Sequence, residues 1–255
     1  MSGTLEKIVR NSRQAIKDGT YNISCEMRRA NVDLGAAIRG SAGVPIITEI
    51  KFASPSQGRI RAHSSPAAIA LEMVKGGALA LSVLTQPYLF GGSPEYFMEV
   101  RKAVSVPLLM KDVIVDTVQI DAAKKMGADC ILLIESVFGD RDDISEYIQY
   151  AHQRDISVLL EVHTVPEMEK AIATEADLLG INNRNLDTLR IDLDTTRAIL
   201  SRVSTDTIVL SESGISTPDD IRYLKESGAD AFLVGSSIMK SNSICSAVRE
   251  LVEAY

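Results

Sequence analysis

Glu49 and Lys51 stand two residues apart in a short apolar segment, so in a strand both side chains would leave the same face. Lys111, Glu161, Asn182, Arg184 and Glu212 occur at the C-terminal ends of other segments of the same kind. One interior Glu/Lys pair can simply neutralise itself. Lys111 and Glu161 arrive from further segments, and burying four charges to no purpose is costly. Proton transfer by lysines and carboxylates sharing one cup is the simpler reading.

A second group of residues suits an anion. Ser213-Gly214 and Gly235-Ser236 close two adjacent apolar segments, and glycine lets backbone N–H groups approach a phosphate closely. Ordinary turn glycines would look the same. Lys51 comes from the first segment, which adjoins the last if the strands close on themselves, and could reach the same phosphate. The stretch from Phe52 to His63 is rich in small and turn-forming residues and reads as a lid or as a plain surface loop. Phe90, before Gly91-Gly92, offers an aromatic face. His163 follows Glu161 by two residues and is read as a supporting or surface histidine.

Positioning such residues requires strand ends that converge. Alternating apolar and amphipathic stretches predict strands over Pro45 to Lys51, Ala80 to Thr85, Pro107 to Lys111, Cys130 to Glu135, Ser157 to Val162, Leu178 to Asn182, Ile208 to Glu212 and Ala231 to Gly235. Helical spacing lies between them and again over Ile244 to Ala254. Gly77, Gly127 and Gly228 stand at helix exits just before strands, where a left-handed residue ends a helix. Several strands are apolar without alternation, as in a parallel sheet covered on both sides. Eight βα units with no GxGxxG after the first strand predict a closed (β/α)8 TIM barrel of the α/β class rather than an open doubly wound sheet. Helical spacing over Leu5 to Lys17 and Val32 to Ile38 predicts a short N-terminal helical extension capping one end. Residues 1–44 form that extension and 45–255 the barrel, in one domain.

Composition excludes other classes. Hydrophobic residues are 45% and charged residues 24%, and no apolar run approaches the roughly 18 residues that span a bilayer, so no membrane partner is expected. A net charge of −7 argues against nucleic acid and requires a locally positive pocket for any anionic substrate. Met1 to Arg13 has no apolar signal core, and Cys25, Cys130 and Cys245 are few and far apart, which predicts a cytoplasmic protein with idle thiols. His63, His152 and His163 lack metal-ligand spacing, so no metal is assigned.

In strand order, Glu49-Ile50-Lys51 with Ser54-Pro55-Ser56, Ser82 to Thr85 with Phe90 to Ser93, Leu109 to Asp112, Glu161-Val162-His163, Gly180 to Leu186, Ser211 to Ile215 and Val234 to Met239 resemble indole-3-glycerol phosphate synthase over nearly the whole chain. The resemblance implies ring closure of 1-(2-carboxyphenylamino)-1-deoxyribulose 5-phosphate to indole-3-glycerol phosphate, with loss of carbon dioxide and water and no cofactor. It implies that Lys111 protonates the ketone oxygen and that Glu161 is the base or proton shuttle in dehydration. Lys51 would hold the substrate carboxylate or phosphate or act as a later acid, and Glu49 would orient a lysine. Asn182, Arg184, Glu212 and Ser213 would line or brace the site, with Ser54 nearby. Pro55, Phe90, Leu132 and Leu233 would supply apolar surface for the aromatic ring, and Ser213, Gly214, Gly235 and Ser236 would cradle phosphate. Val113 and Phe52 depart from the family's usual Phe and basic residue, which bears on affinity and lid behaviour. The only expected partner is a small phosphorylated substrate, with the chain a monomer or weak homo-oligomer. An isomerase of sugar-phosphate amines would call for a Cys or Asp at the first strand, and a silent barrel would lack Lys111 or Glu161.

Overall fold

The computed structural model describes residues 3–54, 58–61, 64–138 and 143–255. Pro55, Ser56, Gln57 and His63 lie outside them. Eight parallel strands close into a barrel, each paired to the next in sequence and the last to the first. They are β1 (Ile46–Ile50), β2 (Ala80–Leu84), β3 (Leu108–Lys111), β4 (Cys130–Ile134), β5 (Ser157–Val162), β6 (Leu178–Asn182), β7 (Ile208–Glu212) and β8 (Ala231–Val234). β5, β6 and β7 run over the expected residues. β4 stops short because Glu135–Phe138 coils into a helical turn, and β8 stops short because Gly235 caps the helix Ser236–Lys240.

Local sequence explains why the helices begin where they do. Ser65, Ser93, Thr164 and Thr217 each cap a helix by accepting from a backbone N–H, and a proline stands in the first turn each time. A hydroxyl satisfies a donor that the first turn leaves open, while proline has no N–H to lose there. At the other end, Gly127 and Gly228 adopt φ of 80° and 103°, which an L side chain resists, and the chain turns at once into β4 or β8.

Register fixes what faces inward. Pairing of Leu84 with Lys111, Ile134 with Glu161, Glu161 with Gly180, and Asn182 with Glu212 puts these residues on the interior face of their strands. Lower in the barrel the same face carries Ile47, Leu109, Leu159, Leu178 and Leu210, all buried. Apolar packing therefore closes the base and the charged layer sits above it, at the strands' C-terminal ends.

The N-terminal extension is anchored at both ends of the barrel. In the helix Gly3–Lys17 the buried Leu5, Ile8, Val9, Ser12 and Ala15 form one stripe at helical spacing. The helix Leu34–Arg39 packs near the start of β7, with Gly35 beside Ile208. Between the two helices Tyr21 donates to Asp112 Oδ2 at 2.7 Å, and Asp112 also accepts from Thr85 Oγ1 and Val113 N. Burial pushes the Asp112 carboxyl up to about 6, against those three hydrogen bonds, from an ordinary value of 3.8. Because the folded state holds this proton more tightly than the unfolded one, ionising Asp112 costs stability as pH rises through that window. Tyr21→Phe removes one donor to the anion. It is expected to lower stability by about 1–2 kcal/mol above the window and by less below it, read from denaturant midpoints at the two pH values.

Among the described residues no helix is long and apolar enough to cross a membrane.

Candidate active site

The charged layer opens into a cavity of about 440 Å³ at the strands' C-terminal ends, a size that suits a small-molecule ligand. Glu49, Lys51, Ser54, Phe90, Lys111, Leu132, Glu161, Asn182, Arg184, Glu212, Ser213, Gly214, Leu233, Gly235 and Ser236 all border it. Every expected site residue that the structure describes is thus in one place. Pro55 alone falls outside the described residues.

At the centre, Lys111 Nζ lies 2.9 Å from Glu161 Oε2 and 2.5 Å from Glu212 Oε2. Burial pulls the Lys111 ammonium down, but the charges of Glu161, Glu212 and Glu49 outweigh it and hold the group above the usual lysine range. The two carboxylates divide. Burial pushes both up, but Lys111, His163 and Asn182 together bring Glu161 well below the usual carboxylate range. Glu212 stays raised, because burial and the neighbouring Glu161 charge exceed what Lys111 returns. The site therefore holds a protonated lysine, an ionised carboxylate and a second carboxyl poised to take or give a proton.

Glycine makes room for this packing. A Cβ on Gly180 would stand 2.2 Å from Glu212 Oε1, and one on Gly235 would stand 2.7 Å from Glu49 Oε1. Glu49 itself pairs with Lys51, both leaving the same face of the chain as their spacing predicts. Asn182 Nδ2 donates to Glu161 Oε1 at 3.0 Å, and its Oδ1 accepts from Arg184 N at 3.0 Å. Arg184 Nη1 donates to Leu189 O, which bends the β6 loop back on itself.

At the end of β7, Ser213 and Gly214 are consecutive residues with left-handed φ of 68° and 92°. This turns the chain sharply at the end of β7 toward the start of the helix Ser236–Lys240. Ser237 Oγ donates to Ile215 O at 3.0 Å and ties the two turns together. The loop after β1 is fastened to the same helix, because Arg61 Nη1 donates to Met239 O and Ser241 O. Part of that loop is a small hairpin pairing Ala53–Ser54 with Gly58–Arg59.

Some residues depart from the sequence reading. Of the two readings of His163, the surface one fails: its side chain is 10% exposed and lies between Glu161 and Glu167. Phe52 packs edge-on against Tyr96, with ring centroids 5.5 Å apart, and does not border the cavity. Val113 does border it, together with Leu5 and Ile8 of the N-terminal helix. Sequence reasoning missed Leu5, Ile8, Gln86 and Lys240 as wall residues. Leu5 and Ile8 signalled a buried helix face but not the surface it would cover.

A family model for indole-3-glycerol phosphate synthase matches residues 5–251. The chain belongs to the indole-3-glycerol phosphate synthase family. It is 39% identical to the indole-3-glycerol phosphate synthase of Polaromonas naphthalenivorans, over 98% of this chain and 99% of that one. To the Methanocaldococcus jannaschii synthase it is 42% identical over 96% of this chain and 91% of that one. A solved thiamine phosphate pyrophosphorylase from Pyrococcus furiosus superposes with a TM-score of 0.61 at 18% identity. It covers 83% of this chain and 95% of its own, a likeness of fold alone. As a synthase of this family the chain is a carbon–carbon lyase of tryptophan biosynthesis.

Proposed function

We propose that Lys111 and Glu161 carry the two halves of this chain's reaction, the closure of 1-(2-carboxyphenylamino)-1-deoxyribulose 5-phosphate to indole-3-glycerol phosphate. The ring carbon bearing the carboxylate attacks the ketone carbon, and a C–C bond forms as the ketone oxygen takes a proton from Lys111. Carbon dioxide leaves, and its electron pair neutralises the cationic ring. Glu161 then removes a proton from the former methylene, and the hydroxyl departs as water with a proton from a lysine, a role this reading gives to Lys51. Because a carboxylate leaves as neutral carbon dioxide, each turnover takes up one proton from solvent.

The observation that carries this reading is the position of Lys111, held as an ammonium at 2.9 Å from Glu161 inside the cavity. The proton that Glu161 collects can return along that contact to the lysine that lost one. Glu49 orients Lys51. Asn182 and Glu212 brace the pair, and Arg184 and Ser54 line the approach. Phe90, Leu132 and Leu233, with Pro55, form the apolar wall for the aromatic ring. Ser213, Gly214, Gly235, Ser236 and Lys51 receive the phosphate. The same reading takes residues 1–44 and 45–255 as one folding unit, a cytoplasmic monomer or weak homo-oligomer with no nucleic-acid partner. Light scattering and limited proteolysis test those points.

Purified protein given the carboxyphenylamino substrate is expected to produce fluorescent indole-3-glycerol phosphate and carbon dioxide in equal amounts. Absence of product from folded protein sinks the proposal.

A further inference from the structure

The ring of His163 lies between two carboxylates. Its Nε2 is 3.3 Å from Glu161 Oε1 and its Nδ1 is 3.4 Å from Glu167 Oε2, both at ion-pair distance and a little long for hydrogen bonds. Glu167 is itself pinned, because its Oε2 accepts from His163 N at 2.7 Å and its own amide donates to Thr164. The His163 side chain is 10% exposed and that of Glu161 3%. Glu161 is consequently held from three sides: His163 and Asn182 on Oε1, and Lys111 on Oε2. We infer that His163 is a positioning residue for Glu161, a cation clamped between two carboxylates that keeps this group aimed at Lys111 and the substrate.

This deepens the assignment of Glu161 as the base and rests on it. Lys111 cannot do the holding alone, because it gives up its proton during ring closure and at that moment ceases to be a cation. A base whose only counter-charge vanishes in mid-reaction would be open to protonation from solvent before it took a proton from substrate. His163 is outside the cavity and does not lose its charge in either step. Its ring is pulled down by burial, but Glu161 and Glu167 raise it to about 9, so it stays cationic through the neutral range. The other charged groups nearby do not replace it. Glu135 and Lys170, from the elements packed behind, face each other at 3.6 Å, and Glu212, whose carboxyl is raised by burial, supplies no positive charge.

A merely structural histidine, bracing the turn from β5 into the helix Val165–Ala171, would affect all conditions alike. The two roles separate in the pH profile of kcat. His163→Gln keeps a polar side chain but no cation. Its kcat is expected to fall about tenfold on the acidic limb, an upward shift of that limb by about one pH unit, and less than threefold on the plateau. KM for the substrate should stay within about twofold. Glu167→Gln still accepts from His163 N but withdraws the charge that keeps the ring cationic, so it should move the same limb in the same direction by less. If His163→Gln does not fold, Glu167→Gln decides. Equal loss at every pH, a change in KM alone, or an unmoved acidic limb would overturn the inference. Glu161→Gln separates this failure from that of the larger reading: if it is active, Glu161 is not the base. If it is inactive while the limb stays put in both other variants, the base stands and His163 is only structural.

Discussion

Lys111→Ala is expected to lower kcat by about 10³-fold or more while leaving the Kd of a phosphate-bearing substrate analogue nearly unchanged. In the proposed reaction the lysine supplies the proton that makes the ketone electrophilic, a contribution realised only in the transition state, so the loss belongs in kcat. The phosphate cradle proposed at the ends of β7 and β8 does not include Lys111, and the analogue should still bind there. Stability should also respond, with a definite sign. In the parent protein the depressed Glu161 carboxyl contributes stability that is present above its unfolded value and lost as pH falls. Without Lys111 its main opposite charge is gone, and Glu161 and Glu212 remain as two buried carboxyls that repel one another when ionised. Breaking a buried pair in this way costs about 3–5 kcal/mol unless a proton replaces the lost cation. The thermal melting deficit of the variant is therefore expected to be larger at alkaline than at mildly acidic pH. Turnover at the parent rate would mean that the acid is a different group.

Gly180→Ala should impair the same centre without touching a charged residue. The added Cβ would meet Glu212 Oε1 at 2.2 Å and Leu159 Cδ1 at 3.3 Å. A free glutamate could swing aside at little cost. Glu212 is buried and tied to Lys111 at 2.5 Å, so moving it displaces the carboxylate that helps hold the lysine. A fall in kcat of about 10–100-fold is expected, together with a loss of about 1–3 kcal/mol from overpacking. Steady-state kinetics and a denaturant melt on one preparation test both parts. Parent-like values of kcat and midpoint would show that Glu212 is not needed where the structure puts it.

Much of the site could be read before the fold was known, and the reason is particular to strands. Glu49 and Lys51 share a face because side chains alternate along a pleated chain, and that rule requires no tertiary information. Placing Lys111, Glu161, Asn182 and Glu212 together needed only one more step. In a closed parallel barrel the C-terminal ends of all strands meet at one mouth. The helix starts were legible for a similar local reason, since Ser65-Pro66, Ser93-Pro94 and Thr217-Pro218 each join a capping hydroxyl to a residue that needs no donor.

Other features had no local signal. His163 follows Glu161 at the same spacing that made Glu49 and Lys51 informative, yet sequence could not say that Glu167 would rise beside it from the next helix. Leu5 and Ile8 showed an amphipathic face, but its partner surface lies more than a hundred residues away in part, beside Leu132 and Glu161. Gly180 looked like an ordinary strand glycine until Glu212 was found in the space its missing Cβ leaves.

By itself, then, the order of residues determined the period of the strands, where helices start and stop, and which charged side chains leave the interior face, because each depends on neighbours a few positions apart. Only the closed barrel decided which carboxylate pairs with Lys111, which is held ionised and which raised, and what covers the mouth. Those outcomes depend on distances of about 3 Å between strands far apart in sequence, and on how completely water is excluded between them.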